Sequence, residues 1–143
     1  VRAAVRRLKT SKGAKFPAQD VVTLLGSATR GALSCDRAVR DLAIPGSGRD
    51  GGRVIVVGDT HGQLEDVLWI LFKHGEPASA HTVYLFNGDV ADRGRHALEI
   101  FMLLTMYSLS DPGSVYLNRG NHEDSFLTSV YGFREECLEK YGR

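Results

Sequence analysis

Short β-branched runs alternate along the chain with longer stretches in which apolar side chains recur every three or four positions. Arg53–Val57, Thr82–Phe86 and Ser114–Leu117 are the β-forming runs. The first lacks any polar alternation, as expected of a strand buried on both faces by helices. Gln63–Lys73 sets Leu64, Val67, Leu68 and Leu71 at helical spacing, with Glu65 and Asp66 in the first turn, where carboxylates suit the helix dipole. Gly75 and Pro77 stop that helix. Ala97–Leu109 predicts a second, with Leu98, Phe101, Met102 and Met106 along its inner face, and Asp111–Ser114 reads as a turn. Tyr131–Tyr141 begins a further helix. The order is βαβαβ, so right-handed crossovers, parallel strands and functional loops at the strands' carboxyl ends are expected.

Upstream, the apolar positions Val21, Val22, Leu24, Leu25, Ala28, Ala32 and Leu33, then Val39, Leu42 and Ile44, predict short amphipathic helices covering a sheet edge. Pro45–Gly52 is too rich in glycine for regular structure and delivers the chain to the first strand. Residues 1–16 differ in composition. They carry Arg2, Arg6, Arg7, Lys9, Lys12 and Lys15, with no acid before Asp20, and read as a solvated basic lead ahead of residues 17–143, which read as the N-terminal part of a domain truncated on its C-terminal side. The other reading of the lead is a calmodulin-type target helix or an organelle address, against which Lys12-Gly13 interrupts a helix.

Composition narrows the function. With 143 residues, 43% hydrophobic and 24% charged, the chain can bury one core and is neither fibrous nor disordered. Eighteen basic against 17 acidic side chains give a net charge of +1, so no basic field points to nucleic acid or an anionic membrane. No run approaches the ~20 apolar residues of a membrane span. Two cysteines, Cys35 and Cys137, make neither a disulfide framework nor a zinc cluster, which fits a soluble protein of a reducing, cytoplasmic or nuclear setting. The chain starts at Val1 and stops at Tyr141-Gly142-Arg143 inside a helical pattern, and is read as part of a longer protein.

Three polar blocks follow the β runs: Gly58-Asp59-Thr60-His61-Gly62, Gly88-Asp89-Val90-Ala91-Asp92-Arg93-Gly94 and Gly120-Asn121-His122-Glu123. Asp59 and Asp89 are 30 residues apart and Asp89 and Asn121 are 32, each about one strand, crossover helix and return. The three loops should therefore gather on one edge. Carboxylate, imidazole and amide suit divalent manganese, iron or zinc, with Asp59 and His61 alternating on one extended loop. Asp89 could bridge two ions and Asn121 adds a neutral oxygen. Such a pair lowers the pKa of a bridging water from ~15.7 towards neutrality, making hydroxide for in-line attack on phosphorus. His122 is then free to protonate a leaving oxygen, Asp92 to fix its tautomer, and Arg93 to grip phosphoryl oxygens.

Each residue has a plainer reading. One Gly-Asp pair after a strand is an ordinary turn, Asp92–Arg93 could be a local salt bridge, and Glu123 could cap the next segment or support the loop. His74, His81 and His96 read as solvated, and Trp69, Met102 and Met106 as packing residues. Three blocks at crossover spacing favour the site.

Gly-Asp-Thr-His-Gly-Gln, Gly-Asp-x-x-Asp-Arg-Gly and Arg-Gly-Asn-His-Glu, followed by Tyr131-Gly132-Phe133-Arg134-Glu135-Glu136-Cys137, resemble the PPP family of serine/threonine protein phosphatases over residues 17–143. Leu85–Asp89 and Val130–Phe133 most resemble its type-five, type-seven and EF-hand branches. The resemblance implies a four-layer α/β/β/α metallophosphoesterase fold and removal of phosphate from phosphoserine and phosphothreonine in proteins. It also implies two metal ions held by Asp59, His61, Asp89 and Asn121, a general acid at His122 oriented by Asp92, and phosphate binding by Arg93 and Asn121. Phosphoprotein substrates and a regulatory subunit are the implied partners.

The family further needs two histidine ligands, a second arginine and a tyrosine that lie beyond these motifs, so the isolated chain is expected to be inactive or poorly folded. Ala91, Ala97 and Asn118 depart from the usual residues, and Asn118 is expected to weaken packing at the third strand's end. The alternatives are a bis-nucleoside tetraphosphate hydrolase-like enzyme, which usually carries Asp at the place of Glu123, and a non-catalytic phosphoprotein-binding fragment.

Overall fold

Three parallel strands, β1 (Arg53–Val57), β2 (Thr82–Phe86) and β3 (Val115–Leu117), lie side by side in sequence order. The computed structural model describes residues 2–10, 15–34, 39, 41–42, 44–46 and 51–142. Two longer helices make the crossovers, α3 (Leu64–His74) and α4 (Ala97–Ser110). Successive right-handed crossovers in a sheet of sequential order put both helices on one face. The register aligns Ile55, Tyr84 and Val115 on that face, and next to them Val57, Phe86 and Leu117. There all but Leu117, which stays exposed at the strand end, join Val67, Leu68, Leu71, Ile100, Leu103 and Leu104 in the core.

The opposite face carries Val56, Leu85 and Tyr116, and Val56 is 66% exposed. β1 is thus not buried on both faces. Its unbroken apolar run misled because β-branched residues suit a pleated backbone whether or not a layer covers them. α4 departs in the other direction. Ile100, Leu103, Leu104 and Tyr107 are buried along with Leu98 and Met102, whereas Phe101 and Met106 are only partly so. The helix lies between the sheet and α2 (Ala18–Leu33), so it is covered nearly all round.

α2 is one helix of 16 residues rather than several short ones, and none of its side chains is fully buried. Val39, Leu42 and Ile44 are not helical. Cys35 and residues 47–50 of the glycine-rich segment lie outside the described residues, as do Lys12 and Gly13. The basic lead is not wholly solvated: α1 (Arg2–Thr10) buries Val5 and Leu8, one helical turn apart, in the core. Phe16 follows them, and its carbonyl accepts from Tyr141 Oη at 2.8 Å.

Near the carboxyl end, two helices stand where one was expected: α5 (Ser125–Tyr131) and α6 (Phe133–Tyr141). Gly132 breaks them with φ +118°, a left-handed conformation that glycine adopts without a Cβ clash. Asp124 caps α5, accepting from Phe126 N at 2.9 Å and Leu127 N at 3.2 Å. Asn118, expected to loosen the end of β3, donates from Nδ2 to Asn87 Oδ1 at 3.0 Å across the strand ends. Among the described residues, no helix is long and apolar enough to cross a membrane.

Candidate active site

The loops after β1, β2 and β3 meet backbone to backbone at two pairs of glycines. A Cβ on Gly94 would strike the Gly62 backbone and the His61 carbonyl, and one on Gly88 would strike Gly120. No side chain fits between them. Hydrogen bonds fasten the contacts: the Asp89 carbonyl accepts from Thr60 N at 3.1 Å and His61 N at 3.0 Å, and Gly94 N donates to the His61 carbonyl at 2.9 Å.

Glu123 completes the assembly. Its Oε2 accepts from Asp89 N and Gly120 N, both at 2.8 Å, while Oε1 accepts from Val90 N at 2.9 Å and Ala91 N at 3.0 Å. One carboxylate thus satisfies four backbone donors on two loops, so Glu123 supports the loops rather than capping the segment after it. Four non-glycine residues here have positive φ: His61 (+40°), Asp89 (+51°), Asp92 (+72°) and Arg93 (+64°). Such strain persists only where the surroundings over-determine it, and all four carry side chains with candidate chemistry.

Asp59, His61 and Asp89 offer ligand atoms that all lie within 4.8 Å of one another. The His61 ring is oriented for this use. Its Nδ1 lies 2.7 Å from the Ala91 carbonyl, which can only accept, so Nδ1 carries the proton and Nε2 keeps its lone pair. Nε2 in turn stands 3.8 Å from Asp59 Oδ2. Asp89 Oδ1 accepts from His122 N at 2.9 Å, which leaves its second oxygen available. Donor set and tautomer therefore fit a divalent cation.

His122 stands beside this cluster. Its ring meets the His61 ring edge-on, with centroids 4.7 Å apart, and the Tyr131 ring at 5.2 Å. His122 Nδ1 is 2.8 Å from Asp92 Oδ2, and Asp92 is 0% exposed. The second Asp92 oxygen accepts from Phe133 N at 2.9 Å. With both oxygens engaged, Asp92 does not form the local salt bridge with Arg93. Arg93 N donates to the Tyr131 carbonyl at 3.1 Å, while the Arg93 and Asn121 side chains stand exposed at the rim.

Sequence reasoning missed two further contributors. The left-handed break at Gly132 turns the Tyr131 carbonyl and the Phe133 N–H towards the loop of Asp92 and Arg93. Glu136, on α6, accepts from Ala97 N and Leu98 N at the start of α4. The Tyr-Gly-Phe-x-x-Glu spacing held the signal, but only the approach of α6 to α4 gives it a role. Two plainer readings also need correction. His96 is half-buried, with Nδ1 3.8 Å from Glu99 Oε2, and Trp69 is an exposed surface residue under Lys73 Nζ, 4.6 Å from its ring centroid. Cys137 is half-buried, and burial followed by the nearby Glu136 raises its thiol pKa, which keeps it protonated and unreactive.

The pattern described as "Calcineurin-like phosphoesterase" matches residues 52–143. The chain belongs to the calcineurin-like phosphoesterase family. Among curated phosphoesterase relatives, it is 50% identical over 91 residues to serine/threonine-protein phosphatase rdgC of Drosophila melanogaster, covering 64% of this chain and 14% of that protein. It is 51% identical over 89 residues to serine/threonine-protein phosphatase 7 of Arabidopsis thaliana, covering 62% of this chain and 21% of that one. A solved serine/threonine phosphatase from Saccharomyces cerevisiae, described as similar to human phosphatase PP5, superposes with a TM-score of 0.82 at 30% identity. That match covers 100% of this chain and 45% of the yeast one. The fold is therefore that of a metallophosphoesterase, and the chain spans under a quarter of these two curated relatives' length.

Proposed function

We propose that this chain forms the first part of a catalytic domain that removes phosphate from phosphoserine and phosphothreonine in proteins. The observation that supports it best is the buried His122–Asp92 pair set against the Asp59–His61–Asp89 cluster. The relatives from Drosophila melanogaster, Arabidopsis thaliana and Saccharomyces cerevisiae are all named serine/threonine phosphatases, which favours this reading over a nucleotide hydrolase.

Asp59, His61, Asp89 and Asn121 would hold two divalent ions, of manganese, iron or zinc. When bound, such ions supply positive charge against the phosphoryl group and make the attacking water acidic. The remaining work falls to side chains. Arg93 offers a planar fork to two phosphoryl oxygens from the rim. Asn121 adds a neutral amide to the same group. Asp92, accepting at Oδ2, keeps a proton of His122 on Nδ1 and fixes the ring, so that Nε2 faces the leaving serine or threonine oxygen to which it would pass a proton. General acid catalysis of this kind contributes about 10²–10⁴-fold. Glu123 holds the backbone under Asp89, so the cluster is preorganised before substrate arrives.

The partner is a phosphoprotein, and a regulatory subunit would act outside this region. α1 uses Val5 and Leu8 in the core, which removes them from any calmodulin-type contact. A reducing cytoplasmic or nuclear setting suits the free Cys137.

Hydrolysis of a phosphoserine peptide and of p-nitrophenyl phosphate with Mn²⁺ tests the reading, using this chain beside one extended to the length of the relatives' catalytic region. Turnover by the extended chain, lost in His122→Ala, is expected, with little or none from the isolated chain because the Val56 face of its sheet is open. Phosphopeptide binding without turnover by either would replace the enzyme with a phosphoprotein-binding module.

A further inference from the structure

α6 touches the loop of Asp92 and Arg93 at both ends, and its second point of contact is an ionic cluster away from the site. α4 has no side-chain cap of its own at His96. Its first two N–H groups, Ala97 and Leu98, are satisfied instead by Glu136, whose oxygens lie 3.1 and 2.9 Å away. Glu136 is 5% exposed and arrives from nearly 40 residues downstream. One turn later, Lys140 Nζ donates to Glu136 Oε1 at 2.8 Å, to Glu99 Oε2 at 2.6 Å and to the Arg95 carbonyl at 2.7 Å.

Glu99 makes this arrangement unusual. It is 1% exposed, and its Oε1 has no hydrogen-bond partner among the described residues. A carboxylate buried in that way is costly unless a cation stands beside it. Lys140 is the ammonium in contact with both acids, and it also reaches the backbone between Arg93 and α4. Residues 92–98 are thus held at one end by Phe133, the first residue of α6, on Asp92 and by Tyr131, the last of α5, on Arg93, and at the other end by α6 alone, through Arg95, Ala97 and Leu98.

We propose that the Glu136–Lys140 pair is a remote positioning device: through Arg95 and the start of α4 it sets where Asp92 and Arg93 present themselves to a phosphoryl group. The pair touches no substrate. The proposal rests on the functional reading above only for the group being positioned. Loss of the Lys140 charge would leave Glu99 and Glu136 facing each other, and the loop would slacken at both ends while the sheet stayed intact.

Amide hydrogen exchange on the 143-residue chain decides it, with Lys140→Met, Lys140→Arg and the double variant Glu99→Gln/Lys140→Met. In Lys140→Met, Arg93 and Phe133 should exchange at least about tenfold faster while Val83–Phe86 are unchanged, since local opening leaves the β2 core protected. Lys140→Arg should restore protection. The double variant removes the uncompensated acid, so it separates folding from positioning, and it too should expose Arg93 and Phe133. Wild-type exchange at these amides in a folded variant overturns the proposal, as does acceleration shared equally with β2. Failure of both methionine variants to fold also overturns it, because the cluster would then hold the fold and not the loop. Calorimetry of inorganic phosphate on the Mn²⁺-loaded chain gives a separate arm, with affinity expected to fall about tenfold in Lys140→Met. Absence of phosphate binding in the wild type counts against the functional reading alone and leaves the exchange result to decide the positioning role.

Discussion

Helix α2 and the loop-bearing edge of the sheet invert each other's burial. On α2, Leu33 is 80% exposed and Val22 is also open, while in the loops Asp92 is wholly buried and His122 nearly so. On α2 large apolar side chains stand open beside others that are only partly buried, while in the loops ionisable side chains face in. Contact with α4 orders α2, and removing one apolar group there costs little. The loops are ordered by convergent hydrogen bonds and by backbones in contact, which fail together because each donor left unpaired in the interior costs about 1–3 kcal/mol. Order in the site is therefore brittle, and order in α2 is gradual.

One substitution made in both regions breaks the comparison most directly. Gly88→Ala must be strongly destabilising, because φ is +91° and the new Cβ would meet the Gly120 backbone. Strain and clash together should remove about 3 kcal/mol or more by urea denaturation. Next in size is Glu123→Ala, which frees four half-buried backbone donors, of which those that water reaches cost little, and should cost about 3 kcal/mol while weakening Mn²⁺ binding. Mn²⁺ affinity measured by calorimetry reports the second effect, and an unchanged value would show that Asp89 holds its place without the carboxylate.

A smaller effect is set by pH. The Asp124 pKa is held below its ordinary 3.8, first by the Leu127 N–H and then by that of Phe126. The unfolded chain takes the proton more readily, so the cap contributes stability above pH 3.8 that is lost as pH falls below it. The Phe126 and Leu127 amide resonances should move in one step below that pH, and Asp124→Asn should abolish the step. α2 has no equivalent, since its N-cap is Pro17 with no side-chain bond. Smallest, and opposite in sign, is Gly31→Ala. This helical glycine has nothing within 4 Å of an added Cβ, so alanine should add about 0.5–1 kcal/mol in the same urea titration.

Strands β1 to β3 and helices α3 and α4 were legible because their hydrophobic periods are distinct and glycines or prolines end them. α5 was not. Its seven residues form a helix too short for a clear period, and they run on into the pattern of α6. The break falls at Gly132, a residue type that ends helices, but with no clear period on its upstream side there was no helix for it to end. At the site, Asp59, His61, Asp89, Asp92 and His122 could be chosen by residue type and spacing, and the structure brings them together. The positive φ of four non-glycine residues could not be read, since tertiary contacts enforce it against local preference. Glu123 and Glu136 reach donors at least 32 residues away along the chain when they support the second loop and α4, so their roles exist only once the loops and helices have met. The open face at Val56 escaped notice for the converse reason: its side chains are those of a covered strand.

The two glycine contacts also govern how the site can move. Where side chains separate two loops, soft rotamers let each loop drift independently. Between Gly62 and Gly94, and between Gly88 and Gly120, there is no such layer to compress. A displacement of one loop pushes directly on the next, so the three should travel as a single block with the sheet edge, and thermal motion of that edge would leave the separations among Asp59, Asp89 and His122 nearly constant.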